Sequence, residues 1–215
     1  CRVKVGILLA DSAGHGMTDA LLTAMLHQAF LTGVLYELET EGHVTPNLFE
    51  VLNTRFARSS SVSKFLTMIY GEISEEGTFR FISAGHPRPL IFSAKYDRLV
   101  DIDPERMINR LPIGVFPSEG DIDEPDSPVP THHKQPFTVN EVSLLGSGDI
   151  LLLQTDGLLE HMRDDELFAP RHLEESIRRV KDRPPQEIIA AVYEVMVRFA
   201  PPADDTSLVV IKKVR

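Results

Sequence analysis

The sequence is poor in cysteine: Cys1 is the only one in 215 residues. One thiol closes no intramolecular disulfide and builds no cysteine-based zinc site. Basic residues are also in deficit, with 22 Lys and Arg against 32 Asp and Glu and a formal net charge of −10. A nucleic-acid surface needs clustered cations to neutralise phosphates, and an anionic membrane patch needs the same, so neither is expected. No unbroken run of 18 apolar residues occurs, from which we expect no membrane-spanning segment. No internal repeat, low-complexity tract or leader-like opening is visible, and residence in the cytoplasm is the natural expectation.

What remains is ordinary globular composition, 42% hydrophobic and 25% charged, of a length that suits one domain over residues 1–215. The opening stretch, CRVKVGILLA, reads as the middle of a sheet. We therefore expect a domain that lacks its N-terminal strands.

Hydrophobic spacing predicts the elements. Residues 3–10 read as a buried strand, and Leu21, Leu22, Met25, Leu26, Phe30, Leu35 and Leu38 as one face of a long helix from Thr18. Thr45 and Pro46 read as the N-cap and first position of a second helix with Leu48, Val51, Leu52 and Phe56 along one side. KFLTMIYGEI and TFRFISAG form a hairpin about the turn SEEG, and RPLIFSA and LVDID follow as strands. Residues 117–136 are acidic, proline-rich and nearly free of large apolar side chains, which predicts a long solvated loop insert. TVNEVSL and DILLLQTDG read as a strand pair joined by LGSG, helices are expected near 171–181 and 184–199, and TSLVVIKKV closes the chain as a strand. The order is that of an α+β protein with helices packed over antiparallel sheets.

Acidic residues recur at the ends of the apolar strands. Asp11 follows VGILLA, Asp156 follows DILLLQT, and Asp204 and Asp205 precede TSLVVI. Each taken alone reads as a turn or a helix cap. Together they need a common explanation, because an isolated carboxylate is costly to bury. If the strands are neighbours, the acids converge into an oxygen-rich site for a hard cation such as Mg²⁺ or Mn²⁺, which could activate water and neutralise a phosphoryl group.

The same segments carry a resemblance. ADSAGHGMTDALLTAML, FLTMIYGEISEEGTFRFISAGHPRPLIF, LPIGVF, LGSGDILLLQTDGLLE and DDTSLVVIK resemble, in order, the motifs of PPM-type (protein phosphatase 2C-like) serine/threonine phosphatases of the bacterial SpoIIE/RsbU branch. The resemblance implies a two-sheet antiparallel β-sandwich flanked by helix pairs, in α-β-β-α layers. It implies two divalent cations, Mn²⁺ or Mg²⁺. Asp11 would bridge them, Ser12 would offer its backbone carbonyl, Asp156 and Asp204 would complete one shell, and Asp205 would be either an additional ligand or a support behind the ligands. A metal-activated water would then hydrolyse phosphoserine or phosphothreonine. The branch further implies a phosphorylated STAS-type anti-sigma-factor antagonist as substrate, a partner-switching or stress-response pathway, and an upstream sensor or receiver module. It also allows a homodimer.

The sequence departs from the family at several points. No G-G-D-x-x-D segment precedes the first motif, Ser12 stands for the usual valine, Pro112-Ile113-Gly114 for Leu-Gly, and Ser207 for the final threonine. Two further readings follow: a phosphatase-like adaptor without catalysis, and a hydrolase of small phosphoesters. His86 in SAGHP is read as part of a structural turn, with Pro87 imposing extended geometry on Gly85 and His86. His15, in its Gly-His-Gly turn, is also read as structural. His132 and His133 are read as solvated, and Met25 and Met68 as core.

Overall fold

In the computed structural model, residues 4–14, 16–59, 64–100, 102, 107–115, 136–144 and 146–214 are described. His15, His132, His133 and all of the 117–136 insert except Pro136 lie outside them.

The elements run β1 (Lys4–Ser12), α1 (Met17–Thr40), α2 (Pro46–Ser59), β2 (Leu66–Ser74), β3 (Thr78–Ala84), β4 (Leu90–Ser93) and β5 (Arg98–Val100). They continue with β6 (Asn140–Ser143), β7 (Ile150–Gln154), the short α3 (Asp156–Leu159), β8 (Met162–Arg163), β9 (Glu166–Leu167), α4 (Arg171–Val180), α5 (Pro185–Phe199) and β10 (Leu208–Lys212). One sheet has the order β1-β2-β3-β6 and the other β10-β7-β4-β5. Every strand pairing within them is antiparallel.

Strand alternation builds three cores. On β1, Leu8 and Ala10 face α1 and α2 together with Met68, Tyr70, Ile82, Phe30, Phe49 and Leu52. The intervening Ile7 and Leu9 join Ile69, Phe79, Phe81, Leu151 and Leu153 in the gap between the sheets. On β7, Ile150 and Leu152 face the other way, against Phe168, Leu173, Ile177, Ile188 and Val192 of the second helix layer. The result is the expected four-layer α-β-β-α sandwich.

Several expectations are corrected. β6 and β7 are not a pair: β6 joins β3 in the first sheet and β7 lies between β4 and β10 in the second. The connection between them crosses from sheet to sheet. On α1 the buried line is Leu26, Phe30, Val34 and Glu37, whereas Leu21, Met25, Leu35 and Leu38 are exposed, as is Val51 on α2. Apolar residues occur on two sides of α1, so spacing alone did not tell which side meets the sheet. By length and composition this helix is also apolar enough to cross a membrane, and here its Phe30 stripe is packed into the first core. Thr45 does precede α2, but its hydroxyl and N–H donate to the buried Glu37 carboxylate at 2.8 and 2.6 Å. A buried acid requires such donors, and Thr45 thereby ties α2 to α1. Gly85 has φ +67°, a left-handed geometry suited to glycine rather than the extended one expected before His86-Pro87. A Cβ there would lie 2.4 Å from Pro112.

Candidate active site

The β1 strand ends on the carboxylate. Asp11 continues the Ile7–Leu9 row, so alternation carries it toward the gap between the sheets. Its Cα partner on β2 is Thr67. Asp156, from the other sheet, follows β7 and opens α3 behind the N-cap Thr155. The Asp204–Asp205 segment leads into β10, the neighbour of β7. Two bonds fix this join: Thr155 N–H to the Ser207 carbonyl at 3.1 Å, and Ser207 N–H to Thr155 Oγ1 at 3.0 Å. Gly157 permits a closer approach still, since a Cβ there would stand 2.3 Å from the Asp205 carbonyl oxygen. The D-G and D-D motifs, some 50 residues apart in sequence, are thus packed backbone to backbone.

Asp11 and Asp156 meet. Partial burial first, then the Asp156 charge, a side-chain contact with Asp156 and the Asp204 charge push the Asp11 carboxyl above its ordinary range, while the Ser12 backbone N–H opposes them. Asp156 Oδ1 is buried and has no hydrogen-bond partner among the described residues. Two acids in contact, one with an orphaned buried oxygen, are unfavourable as they stand. A proton or a cation between them resolves the conflict.

The other sequence candidates are placed less deeply. Asp204 is exposed, with Oδ1 accepting the Asp205 N–H at 2.8 Å, and Asp205 is exposed. Ser12 Oγ donates to the Gly14 carbonyl at 3.1 Å, shaping the turn that follows. Among the described residues, no group of three or more His, Cys, Asp or Glu side chains closes to metal-ligand spacing.

Sequence reasoning missed the supports. Asp19 on α1 is buried, accepts the Gly16 N–H at 3.0 Å and is ion-paired with Lys64, just before β2. The Ala13 N–H bonds the Phe65 carbonyl at 3.0 Å, so the turn after Asp11 is held from both α1 and β2. Ile113 of the LPIG segment exchanges backbone bonds of 2.9 and 3.0 Å with Leu66. His86 is fully buried, with Nδ1 3.1 Å from Thr67 Oγ1. Burial lowers its pKa to about 4, against the opposing pull of Asp156 and the Gln154 backbone. Asn109 Nδ2 donates to the His86 carbonyl at 2.9 Å, and Asn109 Oδ1 accepts the Gly85 N–H at 3.0 Å. One local signal was available for Asp19, an acid three positions after Gly16 at the expected helix start. The Thr67–His86 and Asn109–Gly85 contacts join residues too far apart in sequence to be read from spacing.

Two antiparallel sheets between helix pairs, with acids gathered from both sheets at one end, define the class: this is the fold of PPM-type phosphatases. The sequence pattern of the family described as Stage II sporulation protein E (SpoIIE) matches residues 2–214. The chain belongs to that family, as a SpoIIE-type member of the PPM serine/threonine phosphatase domains. Phosphoserine phosphatase RsbU of Bacillus subtilis (strain 168) is 22% identical over 215 residues, 99% of this chain and 56% of that protein. The structure of the RsbU and RsbW domains of Rv1364c from Mycobacterium tuberculosis superposes with a TM-score of 0.72 at 23% identity, over 99% of this chain and 52% of that one. The chain thus spans about half the length of these two relatives. The catalytic domain of the serine/threonine protein phosphatase PstP, solved in complex with two manganese ions, gives a TM-score of 0.60 at 15% identity over 98% of this chain and 88% of that one.

Proposed function

We propose that the chain is a metal-dependent phosphoprotein phosphatase acting on phosphoserine or phosphothreonine. The observation that carries the reading is the Asp11–Asp156 contact with its unpartnered buried oxygen. Acidic oxygens without cysteine suit Mn²⁺ or Mg²⁺. Asp11 and Asp156 would hold the ions, with the Ser12 carbonyl, Asp204 and Asp205 as further oxygen donors. Bound divalent cations supply an activated water and neutralise phosphoryl oxygens. The chain's own part is to bring acids from two sheets to one place and to hold the turn after Asp11 through Asp19 and Lys64. The test is Mn²⁺-dependent phosphate release from a phosphoserine protein. Activity that survives Asp156→Asn would refute the reading.

By the branch resemblance, the substrate is a phosphorylated STAS-domain protein in a cytoplasmic partner-switching pathway. Input would come from a sensor or receiver module outside this sequence, with α1 and α2 relaying it. The exposed Met17, Leu21, Met25, Leu35 and Tyr36 along α1 support that role, since they offer apolar area beyond what the sheet covers. Equal rates with and without the natural upstream region would count against it. One observation favours the adaptor alternative: among the described residues no third acidic ligand closes on the pair. Manganese-dependent hydrolysis of p-nitrophenyl phosphate separates enzyme from adaptor.

A further inference from the structure

The SAGHP turn plays no part in the chemistry above, yet its histidine is the most deeply buried ionisable group near the acids. His86 has no solvent exposure. Its backbone is clamped: the carbonyl accepts from Asn109 Nδ2 at 2.9 Å, and Asn109 Oδ1 is held in turn by Ser83 Oγ at 2.9 Å. The ring is gripped on one edge only. Nδ1 lies 3.1 Å from Thr67 Oγ1, while the Asp11 carbonyl stands at the outer limit of a bond from the same hydroxyl, 3.5 Å. The shorter contact suits donation from Thr67 to Nδ1, an arrangement that places the ring proton on Nε2.

That proton has nowhere settled to go. Nε2 is buried without a hydrogen-bond partner among the described residues, and so is Asp156 Oδ1. The ring and the Asp156 carboxylate interact electrostatically, and the Gln154 carbonyl lies nearby without good hydrogen-bond geometry. A buried donor position and a buried acceptor, each unpaired, thus belong to two groups near enough to interact electrostatically. Leaving both unsatisfied is costly, and pairing them removes both penalties.

We propose that His86 is a positioning residue for Asp156: Nε2–H orients the Asp156 carboxylate toward Asp11, while Nδ1 accepts from Thr67 beside Asp11. One imidazole then braces the ends of both sheets. Ligating carboxylates are commonly held by such outer donors, whose loss weakens metal affinity about 10- to 100-fold. The proposal rests on the metal-site reading of Asp11 and Asp156.

The test is titration of the 215-residue chain with Mn²⁺ by calorimetry, comparing wild type, His86→Gln and His86→Asn. The Gln amide reaches the Nε2 position, and the shorter Asn amide reaches only Nδ1. We expect His86→Gln to bind within about threefold of wild type and His86→Asn to bind about 10- to 100-fold more weakly. Nitrogen NMR of the wild-type ring gives a second measurement that needs no variant, and Nε2–H is expected there. Equal affinity in both variants, weaker binding by Gln than by Asn, or an Nδ1–H ring would overturn the positioning role. Failure of the wild type to take up Mn²⁺ would overturn the metal reading itself, an outcome distinct from wild-type uptake with an unaffected His86→Asn.

Discussion

The two helix layers bury comparable cores but finish their outer surfaces differently. Over the second sheet, α4 and α5 turn Leu173, Ile177, Ile188, Val192 and Met196 inward and line the outside with ion pairs. Arg171 pairs with Glu175 at 3.6 Å and Arg183 with Glu187 at 3.9 Å, and Arg178–Glu174 and Arg198–Glu194 repeat the i,i+4 pattern. Glu174 and Lys181 also fasten the β4–β5 turn, through Leu99 N–H at 2.9 Å and Asp97 at 2.6 Å. Over the first sheet, α1 buries its Phe30 stripe and leaves Met25, Leu35 and Tyr36 about two-thirds exposed. Covering a sheet requires one apolar stripe per helix. The second stripe on α1 is not demanded by the fold. The layer next to the Asp11 turn therefore has the larger apolar surplus, against only Tyr193 and Val197 exposed on α5.

The acids come one from each half, and this makes the sharpest test. If the proposed metal site is shared, Asp11→Asn and Asp156→Asn should lower Mn²⁺-dependent phosphate release alike, each by at least about a hundredfold. Markedly unequal losses would show that one half alone holds the ion. Asp11→Asn has an opposite effect on the metal-free chain. The raised Asp11 pKa means that the folded state keeps a proton which the unfolded chain gives up, so stability falls as pH rises through that range. Removing the charge should raise the thermal midpoint at pH 7 without metal.

Next in size are the cores. Phe30→Ala and Phe168→Ala each delete a ring with at most 1% exposure and should each cost about 3–5 kcal/mol in urea unfolding. Only Phe30→Ala, on the helix that holds the Asp11 turn through Asp19, should also weaken Mn²⁺ binding. Equal effects on binding would dissolve the distinction between the layers. At the joint between the halves, His86 is kept neutral in the fold. Between pH 6.5 and about 4 the unfolded chain takes a proton that the folded one refuses. Stability is therefore full above pH 6.5 and falls on acidification, by on the order of 3 kcal/mol at pH 4. His86→Asn should flatten that slope in unfolding curves. Smallest is the surface contrast: Leu35→Gln and Glu187→Gln should each move unfolding free energy by less than about 0.5 kcal/mol. If the exposed stripe relays input, only Leu35→Gln alters the response to the upstream region.

Asp11 and Asp156 were legible because an apolar strand ending in an acid is conspicuous, and one bounds each sheet. The pairing of β6 was not, because a short strand of mixed polarity carries no record of which sheet it joins. The exposed side of α1 was misassigned for a related reason: periodicity names a face only when the opposite face is polar. The small β8–β9 hairpin, whose Met162 and Leu167 are half exposed, has too little buried pattern to be seen. His86 was legible as part of a structural turn, but its ring partner Thr67 lies 19 positions away, and only folding brings it to the ring.

β1 is paired with β2 along its whole length, from Lys4 opposite Ser74 to Ser12 opposite Leu66. A slip of one position would swap the sides of every residue on the strand. It would drive Ile7 and Leu9 out of the space between the sheets, and Asp11 would leave with them. Chains that mispair here would thus lose their greasy filling and the meeting of Asp11 with Asp156 together, so the pressure to pack correctly also proofreads the carboxylate pair.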